Sequence, residues 1–313
     1  MGWDKIMTHS TTRRSFLKRA ALGGAALVAG TRGPHAKAAL PYTAKEISAR
    51  LGISTAVYQK ERLSARHIAA IRAAGIRHIE LTMIPERIDM HDRAQVSEIL
   101  AECKRQEVRI VSIHANLQLR YNHTDEDQRL AAAAHLLDEI RFAERIGAGI
   151  VVAHFGTNDQ SSKTVTEMLD KTRDMRIRLT VENMRGGLKP YAAFVDRIGS
   201  DRFGLTVDIG HIRDADGINP MVKKGRAADV MAQGGRRVWH LHLHDTFNLE
   251  TKPDHRAPMH PDGIIEWGEV FAAIEAIDYR GIFLFEDGRG ENPEQWVRLA
   301  GEFPANFVAR YGR

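Results

Sequence analysis

The chain has 313 residues, 43% of them hydrophobic and 27% charged, with 45 Lys and Arg against 40 Asp and Glu and a single cysteine, Cys103. That length and apolar content suffice for one large core, and a lone cysteine excludes a disulfide within the chain. The formal charge of +5 belongs to the N-terminus: residues 1–38 hold seven of the 45 basic residues and one of the 40 acidic ones, leaving 38 against 39. The remainder lacks the basic surplus that phosphate-backbone binding needs, so no nucleic acid partner is expected.

In chain order, the first feature is Thr12-Arg13-Arg14-Ser15-Phe16-Leu17-Lys18, followed by AALGGAALVAG at 20–30 and by Ala36-Lys37-Ala38 ahead of Ala39. Paired arginines, a short weakly apolar segment and a small-x-small cleavage site have the order of a twin-arginine export signal. The glycines argue against a helix of the fold. The expectation is a leader over 1–38, one domain over 39–313, passage through the twin-arginine translocon and a periplasmic address. That route generally carries folded proteins, which suits a cofactor loaded before export. No run of about 18 apolar residues follows the leader, so the mature part is expected to have no membrane span.

From Leu51 onward, short apolar, β-branched runs alternate with longer helical patterns, the signature of strand-helix units around a parallel sheet. Eight strands are predicted, at 52–58, 77–83, 109–116, 149–156, 177–184, 203–211, 238–245 and 281–288. Amphipathic helices such as Asp125 to Ile146 lie between them, and Gly75, Gly147 and Gly281 stand where a helix end feeds the next strand. Eight such units predict an α/β fold, a closed (β/α)8 TIM barrel. The longest non-helical segment, Thr246 to Ile265, follows the seventh strand, and a loop of that length in a compact domain is usually functional.

A barrel presents its active site at the C-terminal ends of its strands. Seven predicted strands carry an acid or imidazole there: Glu80, His114, His154, Glu182, Asp208 with His211, His242 with His244, and Glu286. Taken singly, each has a bland reading as a polar loop residue or a hydrogen-bonded core residue. Together they converge on one point, where unpaired like charges repel and lose their hydration. A divalent cation resolves the conflict, and mixed Asp, Glu and His donors suit manganese, cobalt, iron or zinc better than calcium. In VWHLHLHD (238–245) the three histidines project to one side under a period of two, so depth separates them: His240 deepest, His242 next, His244 and Asp245 at the rim or behind the site.

These residues resemble the xylose isomerase-like barrels, a family that groups sugar isomerases and epimerases with endonuclease IV enzymes. The resemblance spans about residues 50–290. It rests on Gly75-x-x-x-x-Glu80-Leu81, Ile113-His114, Val152-Ala153-His154-Phe155-Gly156, Val181-Glu182-Asn183, Val207-Asp208-Ile209-Gly210-His211, His242-Leu243-His244-Asp245, Gly263-x-Ile265-Glu266-Trp267 and Phe285-Glu286. It implies one divalent metal ion held by Glu182, Asp208, His242 and Glu286, with Glu182 and Glu286 exchanging a proton beside a sugar carbonyl. It also implies substrate contacts from Glu80, His211 and, in the long loop, Arg256. His114 and His154 count as substrate contacts in the epimerase branch and as ligands of further zinc ions in the endonuclease branch.

The expected function is a metal-dependent isomerase or epimerase of a keto sugar or sugar derivative. Alternatives are a keto-glycoside lyase or hydrolase on the same metal, an endonuclease IV-like phosphodiesterase, and a non-catalytic periplasmic sugar-binding barrel. The endonuclease pattern needs Asp-x-His after the seventh strand, and Asp254-His255-Arg256 departs from it. His255 and His260 read either as solvated loop residues or as substrate contacts, and Trp239, Trp267 and Trp296 as barrel-helix packing. A small-molecule sugar is the expected partner, and a homo-oligomer is compatible with the sequence.

Overall fold

Strands β1 (Leu51–Ser54), β2 (His78–Thr82), β3 (Arg109–His114), β4 (Ile150–Ala153), β5 (Arg178–Glu182), β6 (Phe203–Asp208), β7 (Val238–Leu243) and β8 (Phe283–Phe285) pair in parallel and in sequence order. β8 pairs back with β1 and closes the barrel that the alternating pattern predicts. The structure is a computed structural model describing residues 40–58, 60–184, 186–246, 255–286 and 292–312; the expected twin-arginine leader and Asp254 lie outside the described residues.

Both faces of a parallel barrel strand are covered, so β4 reads IVVA and β6 FGLTVD with every residue buried. Each strand is followed by a helix, and the sequence marks many of their ends. The helix α4 (Glu126–Ile146) starts at Asp125, whose side chain accepts from Gln128 N, and stops at Gly147 in the left-handed region at φ 78°. Outside the eight units, α1 (Ala44–Ala49) precedes β1 and is held by a reciprocal Thr43–Glu46 capping box. Among the described residues no helix is long and apolar enough to cross a membrane.

Between β8 and the last two helices, α8 (Trp267–Ala276) and α9 (Pro293–Tyr311), lies an aromatic cluster. Phe303 sits 4.8 Å from Phe285 and 5.4 Å from Trp267, and Trp267 and Trp296 are fully buried, as packing residues would be. Inside the barrel the filling is polar rather than branched aliphatic. Thr206 Oγ1 donates to Thr180 Oγ1 at 2.6 Å, Ser54 and Thr82 share a bond at 2.9 Å, and Ser112 Oγ donates to Glu80 Oε2 at 2.8 Å. These side chains alternate with outward apolar ones and form the floor beneath the site.

Candidate metal centre

Strand register brings the acids and imidazoles to one level. Glu182 ends β5 and is paired with Thr206, Asp208 ends β6 opposite His242 of β7, and Glu286 follows β8 with its N–H donating to Leu243 O at 3.0 Å. Glu182, Asp208, His242 and Glu286 each offer a donor atom, and these atoms all lie within 4.8 Å of one another. His242 Nδ1 stands 3.2 Å from Glu182 Oε1 and 3.2 Å from Glu286 Oε2. This is the quartet expected as metal ligands.

The donor set fits a divalent transition ion. Three carboxylates and one imidazole are gathered in a pocket where the acids are at most 7% exposed, and such charges stay together only with a cationic partner. Asp208 Oδ2 is buried without a well-formed hydrogen bond, although His211 Nδ1 approaches to 3.0 Å. In the absence of an ion the histidines supply the positive charge. Burial pushes the Glu182 carboxyl up, but His242, His154 and His114 outweigh it and hold it well below the usual carboxylate range. Burial likewise works against Asp208, which His211 and His244 hold low. Burial alone would depress His114, yet the bond and charge of Glu182 push it up to about 9.

A cavity of about 220 Å³ opens over the quartet, lined in part by His114, His154, Glu182, His211, His255 and Glu286. His114 Nε2 and His154 Nε2 both donate to Glu182 Oε2, at 2.9 and 3.0 Å. His114, His154 and Glu182 thus form a second group of donors within 4.8 Å, and Asp208, His211, His244 and His255 form a third.

Glu80 and Arg256, expected at the substrate, are not on the wall of this cavity as the described residues bound it. β2 runs on to Thr82, so Glu80 lies two residues below the strand end, fully buried and level with Ser112 of β3. Arg256 pairs backbone to backbone with Asp245, at 2.7 and 3.0 Å. That bridge folds the chain back over the end of β7 and decides between the two expected places, rim or behind the site, in favour of the second: His244 and Asp245 are buried, and His244 Nε2 donates to Asp208 Oδ1 at 2.9 Å.

The same fold-back decides between the two readings of His255, against solvent and for a place on the cavity wall. His255 is 2% exposed, stacks on His244 at 4.1 Å between ring centroids and lines the cavity, with its backbone in the left-handed region at φ 48°. Only its place in the long loop hinted at this. His260 is half-buried near Asp262. In the sequence Asn183 stands out only as a member of Val181-Glu182-Asn183, yet its amide bridges β5 and β6, accepting from Asp208 N and donating to Asp208 O, both at 2.9 Å.

A family model described as a xylose isomerase-like TIM barrel matches residues 68–303. No curated protein matches the sequence. Among solved structures, a D-psicose 3-epimerase from Clostridium cellulolyticum H10, solved with D-tagatose, is 15% identical, with a TM-score of 0.64 and 83% of this chain and 98% of that one covered. The IOLI protein with a binding zinc atom is 15% identical, with a TM-score of 0.67 over 84% and 99% of the two chains. The 3-keto-D-glucoside 4-epimerase YcjR from E. coli is 14% identical, with a TM-score of 0.61 over 82% and 99%. At such identities the likeness carries the fold alone.

Proposed function

The chain belongs to the xylose isomerase-like TIM barrel family, and from that premise we propose that it is a metal-dependent isomerase or epimerase of a keto sugar or sugar derivative, exported to the periplasm by its twin-arginine leader. The observation that carries this reading is the convergence of Glu182, Asp208, His242 and Glu286 within 4.8 Å at the C-terminal mouth of the barrel. The likeness in fold to epimerases and to a protein carrying zinc supports it.

The reaction class requires removing a proton from a carbon beside a carbonyl. When bound, a divalent cation supplies positive charge for the carbonyl and neighbouring hydroxyl oxygens, lowering the cost of the negative charge that develops. Asp208 and His242 would mainly hold the ion, with Glu182 and Glu286 completing the set. Glu182 and Glu286 come from separate strands, and each lies 3.2 Å from His242 Nδ1; one takes the proton and the other returns it to the opposite face. His114 and His154 orient Glu182 through its Oε2, leaving Oε1 toward the centre.

Solvent deuterium incorporation into candidate keto sugars tests proton abstraction directly. Glu286→Gln is expected to lower turnover at least about 100-fold, and a variant with full metal and full turnover contradicts the assignment. Elimination or glycoside hydrolysis begins with the same proton transfer, and product analysis separates those outcomes from epimerisation. A second reading, phosphodiester hydrolysis on several zinc ions, is favoured by the further donor groups around the quartet, among them His114, His154 and Glu182 and Asp208, His211, His244 and His255. It predicts about three ions per chain, and the net −1 charge of residues 39–313 speaks against a DNA substrate.

A further inference from the structure

Beneath His242 lies a carboxylate that the proposed chemistry leaves unused. Glu80 is fully buried in the interior of the barrel, a position that branched apolar side chains ordinarily fill. Burying an ionised carboxylate gives no stability that a hydrophobic residue would not give more cheaply, so its presence asks for another reason. Its surroundings are those of an anion: Ser112 Oγ donates to Oε2 at 2.8 Å, His240 Nε2 at 3.1 Å and His242 Nε2 at 3.3 Å, with Oε1 3.2 Å from the same His242 nitrogen.

The consequence lies at the other side of the His242 ring. An imidazole that donates from Nε2 and remains neutral presents a lone pair at Nδ1, and Nδ1 is the atom facing Glu182 and Glu286. We propose that Glu80 is a positioning residue of the metal centre, fixing the His242 tautomer and ring orientation so that Nδ1 meets the cation, with Ser112 and His240 holding Glu80 in place. A carboxylate behind a ligating imidazole also raises its basicity and tightens the ion. The inference rests on the metal reading above, and it turns Glu80 from a substrate contact into a support of the ligand sphere.

The test is a calorimetric and spectroscopic Co2+ titration of the metal-free full chain. Glu80→Gln keeps the shape and removes the charge. It is expected to bind Co2+ about 10- to 100-fold more weakly and to shift the visible Co2+ bands, while the melting temperature of the metal-free protein does not fall. Glu80→Asp, which keeps the charge but withdraws it from Nε2, is expected to lose affinity as well and serves if the first variant does not fold. Wild-type affinity and spectrum in either variant overturn this inference alone. A wild-type chain that takes no Co2+ overturns the metal reading and this inference with it.

Discussion

His242 uses both ring nitrogens, one toward Glu182 and Glu286 and the other toward Glu80, whereas the Nε2 of His240, two residues earlier on the same face of β7, meets Glu80 and Ser112. The two histidines should therefore fail differently. His242→Ala is expected to abolish metal binding; His240→Ala is expected to retain a bound ion, though more weakly because Glu80 loses a donor, and to cost about 2–4 kcal/mol of stability by opening a cavity and stripping a buried carboxylate of that donor. Metal content and denaturant melts of both variants check this. The order in depth of these residues was legible from the period of two alone. The role of Glu80 was not, because a one-dimensional pattern places a residue on a strand but not at a height within the barrel.

At the scale of elements, the segment after β7 is organised by one side chain. The Asp245 carboxylate accepts from Thr246 N at 2.8 Å, Met259 N at 3.2 Å, Ile265 N at 3.1 Å and Trp267 Nε1 at 2.8 Å, tying the end of β7 to the start of α8. Asp245→Ala is expected to cost about 2–4 kcal/mol, since four donors lose their acceptor, and to weaken substrate binding through the displacement of His255 from the cavity wall. Thermal melts and KM on the substrate, once found, read the two effects separately. Its length marks this segment as a candidate functional loop, yet sequence alone left His255 between solvent and substrate contact, because burial there comes from the long-range Asp245–Arg256 bridge and the stack on His244. The eight strands were legible within a few residues for a local reason: β-branched runs punctuated by helix stop signals.

For the molecule as a whole, the buried centre couples stability to pH and to metal. In the metal-free protein burial opposes protonation of His114, but Glu182 prevails and pushes it from 6.5 up to about 9. A group raised on folding contributes stability that is fully present below pH 6.5 and lost as pH rises through about 9. The metal-free melting temperature should fall across that window. A cation at the quartet would repel the proton that His114 lends to Glu182, so the stabilisation gained on metal addition should grow over the same range, and parallel pH curves for the two forms would argue against a site beside His114. Cys103 is kept out of this chemistry, buried with its thiol pushed up by burial to about 12.

The most direct measurement is elemental analysis of the purified chain beside its His242→Ala variant. The account predicts about one equivalent of manganese, cobalt, iron or zinc in the wild type and its loss in the variant. A wild-type chain without transition metal, or a variant that retains it in full, would contradict the account.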